Sequence, residues 1–565
     1  MRIPTITTIF ASAIIALAGL LLPCAESAAQ LTKDVCLGCH GTAGFEAPGA
    51  DGKSRPLHVA AEPFEKSVHG KFECALCHAD VTAIPHDLKA RQKVDCGTCH
   101  ADKKEEYLAS VHGTEAVGKG NPKAATCTSC HTTHAVASPK SDAGKLSIVR
   151  NCGGCHSENF ASYTDTYHGQ VGTLGFTYTA KCFDCHGSHG ILRVADAKST
   201  VHPGNRLQTC QKCHKDATPG FVTFQPHANA HNFARYPQVW LATHSMVALL
   251  AGVFLFFWSH TALWFYREYR DRQERKGRPH VLTDEPPELK GKQFQRFGPV
   301  WRLAHLAFAL SVMTLVLTGM AALFADTVFA KAVIAIFGSP KTAAIVHRAA
   351  AMIMLGIFFV HLVVLALRIG ANLKSFRWFG PTSLVPNWQD LKDILLMFRW
   401  FFGRIPRPVF ERWTYWEKFD YWAVFWGMAI IGGSGMMLAF PAVTASVLPG
   451  WTFNVATIVH GEEAILAAVF LFTVHFFNNH FRPDKFPLDT VMFTGAVPLE
   501  EFRREHVLEY KRMVESGELA KHLVDAPSRP MTVGAKILGF TLITFGLLLL
   551  VFVLTGWVGS MTRAG

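Results

Sequence analysis

Fourteen of the 15 cysteines fall into seven copies of one pentapeptide, Cys-x-x-Cys-His. The copies are Cys36/Cys39/His40, Cys74/Cys77/His78, Cys96/Cys99/His100, Cys127/Cys130/His131, Cys152/Cys155/His156, Cys182/Cys185/His186 and Cys210/Cys213/His214. Two thiols at this spacing can each form a thioether with one vinyl group of the same porphyrin. The adjoining His then lies beneath the iron as its first axial ligand. The pattern implies seven covalently attached c-type haems. Paired Cys-x-x-Cys units also bind zinc, but a zinc ribbon has no need of a His after the second Cys in every copy. The remaining thiol, Cys24, sits in the leader, so no pair is left for a disulfide. The first half must therefore draw its stability from haem burial and iron ligation rather than from a large apolar core.

An iron that only carries electrons needs a second axial ligand, and an internal repeat offers one for most motifs. A motif, a Ser/Thr-x-His-Gly, a second motif and a further His recur three times. The landmarks are Cys36, His69, Cys74 and His86; then Cys96, His112, Cys127 and His134; then Cys152, His168, Cys182 and His189. Between the second and third passes the first three landmarks shift by 56, 56 and 55 residues. This regularity predicts stacked di-haem units, with the motif at Cys210 as the junction to the membrane. The six repeated histidines are the second ligands expected for six irons. His227 or His231 would serve the seventh, with His58 and His202 as further possibilities, and which His serves which iron is left open.

The elements that must position these groups divide the chain in two. Arg2, an apolar run from about Ile9 to Leu22, and small residues through Ala29 read as a signal peptide over residues 1–29, cleaved after Ala29. Residues 30–236 form the heptahaem segment, of loops and short helices packed on haem. The rest is an all-α bundle of six predicted membrane spans: about Trp240–Tyr266, Pro299–Phe324, Thr342–Ile369, Phe419–Phe440, Phe453–Phe477 and Ala535–Trp557. Within it, 237–298 hold the first span and a loop, 299–480 the di-haem b domain, 481–534 a second long loop, and 535–565 the last span and tail. Much of the excess behind the formal net charge of +12 sits in the loops between the hydrophobic spans. A positive-inside topology explains it better than nucleic-acid binding does, and puts the haem segment in the periplasm of a bacterial inner membrane. Trp388–Phe402 is expected to lie along the inner surface as an amphipathic helix. Glu500–His522 is charged and helical in pattern, without evident chemistry.

Histidines inside spans are costly unless partnered. His347 and His361 lie fourteen apart in the third span, and His460 and His475 fifteen apart in the fifth. At 100° per residue each pair returns to within about 60° of one face, separated by about 21 Å along the axis. That spacing would hold two b-type haems one above the other, the outer between His347 and His460 and the inner between His361 and His475. His244 and His260, sixteen apart in the first span, fall on opposite faces. Gly432-Gly433-Ser434-Gly435 in the fourth span reads as a helix-packing stripe, or as room for a porphyrin.

Arg302-Leu-Ala-His305, Thr318-Gly319, His347-Arg348, His460-Gly461 and His475-Phe476-Phe477 resemble the cytochrome b subunits of membrane formate dehydrogenases and nickel-iron hydrogenases. In that family the inner haem takes its ligands from the first and last of these helices. The resemblance thus implies His305 with His475, where spacing points to His361, and both stay open. The whole chain resembles the inner-membrane Cbc-type c/b quinol dehydrogenases of metal-reducing bacteria. This resemblance implies menaquinol as donor and periplasmic c-type cytochromes as acceptors.

The expected activity is that of a quinol:cytochrome c oxidoreductase, whose quinone pocket lies at the inner end near Asn478, Asn479 and His480. An outer pocket beside Arg348, Glu462 and Glu463 is the other placement, a carboxylate there accepting a quinol proton. Reverse flow, reducing quinone with electrons from a periplasmic hydrogenase or dehydrogenase, would use the same parts. A terminal reductase of nitrite or a similar substrate would need an iron with an open position, and every motif here ends in His.

Overall fold

The computed structural model describes residues 31–48, 53–86, 92–275, 289 and 291–564. The predicted signal peptide and Cys24 lie outside the described residues. The chain is mostly helical and divides into two compact units. One runs to Asn151 and adds Gly187–Arg193; the other comprises Cys152–His186 and everything from Val194. The division falls inside the motif-bearing segment, so most of the third repeat and the seventh motif pack with the long helices.

In the first unit each motif sits on a short helical turn: Lys33–His40, Cys74–Cys77, the 3-10 turn Cys96–Thr98, and Cys127–His131. On such a turn positions i, i+3 and i+4 share a face, which brings the two sulfurs and the imidazole to one side. The Ser-x-His-Gly element is built from local hydrogen bonds. Ser110 Oγ donates to the Tyr107 carbonyl and accepts from Gly113 N–H, while Tyr107 Oη donates to the Ala125 carbonyl at 3.0 Å. A Cβ on Gly113 would collide with the backbone of Tyr107 and Leu108, so the residue after the His has to be glycine. The same device recurs in the second unit, 56 residues on: Thr166 bonds Tyr163 and Gly169, and Tyr163 Oη donates to Ala180 at 2.9 Å. Among the described residues of the first unit, Ala47 and Val149 are the only buried apolar side chains.

Among the described residues the second unit holds six helices long and apolar enough to cross a membrane: Pro237–Glu274, Pro299–Leu323, Pro340–Ala371, Tyr415–Ala439, Trp451–Phe481 and Arg529–Ser560. Each overlaps a predicted span, and most run further. Polar caps set several ends. Ser339 accepts from Thr342 N–H with Pro340 in the first turn, and Thr414 with Glu417 forms a capping box. Met313, Val316, Met320, Ile465, Val469, Phe472 and Val553 pack into one core, while Leu255, Phe359, Leu367 and Leu548 remain exposed, as lipid-facing side chains must. The fourth and fifth helices each contain π-helical turns, at Met428–Gly432, Leu471–His475 and Phe477–Phe481. The amphipathic helix forms at Trp388–Phe401, and its Asp390 makes a buried ion pair with Lys418 at 2.8 Å.

Glu500–His522 is helical at Leu499–Glu505 and Val507–Glu515, but it belongs to a cap with an unforeseen sheet. Gln293–Gln295 pairs antiparallel with both Ala496–Pro498 and Leu523–Val524 over a core of Phe294, Leu499, Phe502 and Met513. Arg482 joins the cap to the fifth span by bonding Glu505 at 2.6 Å, and Lys485 bonds Asp489 and Glu501. These opposite charges keep the Glu505 carboxyl well below its ordinary pKa despite burial.

Candidate functional site

The structure brings the sequence-predicted histidines together in pairs. In the first unit the ring centres of His40 and His86 lie 6.0 Å apart, His69 and His100 6.1 Å, His78 and His134 6.2 Å, and His131 and His189 6.0 Å. In the second, His168 and His214 lie 6.1 Å apart, His186 and His227 6.3 Å, and His347 and His460 6.3 Å. A metal about 2 Å from each of two imidazole nitrogens, with each ring centre about 1 Å behind its nitrogen, separates the centres by about 6 Å. All seven pairs fit an iron with two axial imidazoles. Six join one motif His to one His outside the motifs, and the seventh joins the third span to the fifth.

Pairing crosses between repeats. His69 of the first pass reaches the third motif, His134 of the second reaches the second motif, and His189 of the third reaches the fourth. The seventh motif, expected to use His227 or His231, instead faces His168, and His227 faces His186. His231 is exposed, its backbone N–H bonded to Asn229, and His58 is exposed. His112 lies in the first unit and His156 in the second.

The cysteines are placed less uniformly than the histidines. The first cysteines of the two motifs in each pass lie within hydrogen-bonding reach of one another: Cys36 with Cys74, Cys96 with Cys127, and Cys152 with Cys182. The second cysteines are accessible at the surface. Cys39, Cys77, Cys99, Cys155 and Cys213 are exposed, and Cys130 and Cys185 are only half-buried. The physical reason is that turns this short carry too few apolar side chains to cover their own sulfurs. Burial raises the pKa of the Cys77 thiol, with Cys96 and Cys99 adding to the effect, and pushes Cys185 up to about 11, with Cys210 and Cys213 among its neighbours. Among the described residues no three His, Cys, Asp or Glu side chains converge on one metal position. A zinc ribbon needs four such ligands, whereas a porphyrin iron asks the protein for two.

Hydrogen bonds turn the rings. His40 Nδ1 lies 2.8 Å from the Leu57 carbonyl, and His227 Nδ1 3.1 Å from that of Asn159. Each is then the Nδ1–H tautomer, which leaves the Nε2 lone pair for a metal. Burial pushes the His168 imidazole down to about 4, with His214 and Lys181 adding to the effect. Burial also lowers His131, His134, His186, His214 and His227. All are neutral at pH 7, the state that ligates.

In the bundle two matching cradles hold the outer pair. Leu315, Thr318 and Gly319 of the second span face His347: the Thr318 hydroxyl lies 2.9 Å from Nδ1, the Leu315 carbonyl also bonds the ring, and a Cβ on Gly319 would stand 3.2 Å from it. Ile431, Ser434 and Gly435 of the fourth span repeat the arrangement for His460. The carbonyl lies at 3.0 Å, the hydroxyl at 3.2 Å, and a Gly435 Cβ would come 3.0 Å from the ring. Carbonyl, hydroxyl and glycine occupy positions i, i+3 and i+4 in both. The glycine stripe in the fourth span thus makes room for an imidazole at Gly435, while Gly433 meets nothing within 4 Å. The recurrence of a hydroxyl-Gly dipeptide in two spans was the signal available for Ser434.

At the other end His305, His475 and His480 lie within electrostatic reach of one another. His475 Nδ1 is 3.1 Å from Asp420 Oδ2, and Asn479 donates to the His475 carbonyl at 2.8 Å. Asp420, an acidic residue inside an apolar span, escaped the sequence reading, although an intramembrane carboxylate is itself a signal. His361 is engaged elsewhere: its Nε2 lies 2.9 Å from Tyr421 Oη, and its ring packs on Trp301. Asn478 is buried, and His480 Nδ1 is buried without a hydrogen-bond partner. Of the outer-pocket residues, Glu463 accepts from Trp426 Nε1 at 2.7 Å through one oxygen, and its other oxygen is buried and unpartnered. Glu462 is half-buried. Arg348 lines a cavity of about 130 Å³ with Tyr167 and Lys341. His260 bonds Tyr415, and His244 stacks on Trp240.

Comparison of the chain with protein families, with curated proteins and with solved structures finds no match.

Proposed function

We propose that this chain is a membrane electron-transfer protein of the bacterial inner membrane. It oxidises quinol, menaquinol by resemblance, and delivers the electrons to c-type cytochromes in the periplasm. The observation that carries the reading is the set of seven imidazole pairs at 6.0–6.3 Å, six built on Cys-x-x-Cys-His and one inside the bundle. Haem bound at such pairs carries single electrons. The cysteines tether seven c-type groups. His347 with His460, and His305 with His475, hold two b-type groups, with Thr318, Ser434 and Asp420 fixing the ring orientations.

For the quinol we favour the end near His475. His480 Nδ1 and the buried Asn478 offer polar groups to a quinol hydroxyl, while Asn479 is committed to bracing His475. A second placement, at the outer pair, is favoured by the unpartnered Glu463 oxygen and by the cavity lined by Arg348. Quinol oxidation lost in His480→Ala but kept in Glu463→Gln selects the inner pocket; the opposite result selects the outer one. Imidazoles at both axial positions of each pair speak against a terminal reductase. Reverse flow uses the same residues, and relative potentials decide the direction.

The test is potentiometric titration of the protein in membranes, with a pyridine haemochrome assay that separates c from b haem. The expected result is both haem types, with c-type absorbance rising after addition of menaquinol. A preparation without b-type absorbance overturns the proposal.

A further inference from the structure

Where the seventh motif meets the bundle, the chain makes a joint far denser than a linker requires. Gly450, just before the fifth span, donates its N–H to the Gly220 carbonyl at 2.8 Å and to Thr223 Oγ1 at 2.7 Å. One turn on, Asn454 forms a reciprocal pair with Gln225, accepting from its N–H at 3.1 Å and donating to its carbonyl at 2.8 Å. Thr218 adds a bond to the Ala445 carbonyl at 3.2 Å. Gly450 is buried in this contact, and a Cβ there would strike the Phe221 carbonyl and the Phe224 nitrogen.

Aromatic rings run through the joint. The Phe221 ring centre lies 5.0 Å from that of His214 and 5.8 Å from that of Phe453. Phe453 precedes His460 by seven residues, two helical turns, so both project from one face of the span, about 10 Å apart along its axis. On one side of the joint stands the His168/His214 pair and on the other the His347/His460 pair.

We propose that the Gly220–Gln225 loop and the start of the fifth span form a positioning clamp that sets the spacing between these two imidazole pairs, with Phe221 and Phe453 filling the gap. The inference rests on the function proposed above, in which both pairs hold haem. The step it serves is a one-electron transfer: the centre at His347/His460 is oxidised, the centre at His168/His214 is reduced, and no bond or proton changes hands. A rigid, packed joint suits such a step because its rate depends on separation, which a mobile linker would let vary.

The test uses the full-length protein in lipid nanodiscs, with Asn454→Ala, Phe453→Ala, and the conservative Asn454→Asp and Phe453→Tyr. Hydrogen exchange reads the clamp itself: Asn454→Ala is expected to expose the Gln225 and Gly450 amides. After rapid mixing with menaquinol, b-type absorbance should change at the parent rate in every variant. The subsequent rise of c-type absorbance should slow about tenfold in the two alanine variants. Phe453→Tyr should match the parent. Asn454→Asp, which keeps the acceptor and loses the donor, should fall between. Haem content and midpoint potentials should not move. An unchanged b-to-c rate in both alanine variants, with exchange protection lost, overturns the clamp. So does a slowing that tracks a shifted potential. A parent protein lacking b-type absorbance overturns the proposed function and this inference together, so the two failures are distinguishable.

Discussion

The first unit and the helical bundle hold the same kind of group, a pair of facing imidazoles, by opposite means. In the bundle each ring is braced by residues that would be there without any cofactor: Leu315 and Thr318 for His347, Ile431 and Ser434 for His460, Asp420 for His475. Behind them lies an apolar core. In the first unit, among the described residues, two small apolar side chains are buried and the cysteines are largely accessible. Its short turns bury too little to offset the entropy of ordering them. On the proposed function the bundle would be a scaffold for haem, whereas the first unit would need haem as its scaffold.

The sharpest way to break that comparison is to prevent haem attachment. In a host unable to form the thioethers, the first unit should be degraded while the bundle still inserts. Limited proteolysis of membranes would show the segment up to Asn151 lost and the six long helices protected. Protection of both would show that the first unit folds on apolar contacts after all.

The same contrast explains what could be read in advance. Cys-x-x-Cys-His is a local signature, because a single helical turn brings both sulfurs and the imidazole to one side. The 56-residue recurrence likewise exposed His112 and His168 with their glycines. Partner choice was not local. His69 and His100 are 31 residues apart and His168 and His214 are 46, and the path between them is set by how turns stack, which no spacing encodes. Helix periodicity placed His347 opposite His460, but it also favoured His361, whose Nε2 turns out to face Tyr421. A phase of 100° per residue cannot anticipate the π-helical turns at Leu471–His475 and Phe477–Phe481, which rotate His475 and His480 off the regular helical phase. The sheet joining Gln293–Gln295 to Ala496–Pro498 was illegible for a similar reason: its register links segments two hundred residues apart.

Single substitutions in the bundle should cost cofactor rather than fold. In His460→Ala the outer b-type haem should be lost, halving b-type absorbance, with the spans still inserted and the c-type content unchanged. Asp420→Asn should leave both haems in place but weaken retention of the inner one by about tenfold, measured as its loss to a haem acceptor such as apomyoglobin. Collapse of the bundle in either variant would put it in the same class as the first unit.

The finest test lies within the fourth span's cradle, where glycine and hydroxyl can be separated. In Gly435→Ala the new Cβ would stand 3.0 Å from the His460 ring, closer than packed carbon atoms tolerate, so ring or helix must shift. Overpacking of this kind costs about 1–3 kcal/mol. Ser434→Ala removes one of two hydrogen bonds at His460 Nδ1 and leaves the Ile431 carbonyl at 3.0 Å to hold the tautomer. Its cost should be about 0.5–1 kcal/mol. The outer b-type haem should therefore melt out at distinctly lower temperature in Gly435→Ala than in Ser434→Ala, followed by b-band absorbance during a thermal ramp. If the order is reversed, the hydroxyl rather than the shape of the cradle fixes the ring, and the bundle's independence from its cofactor is narrower than its packing implies.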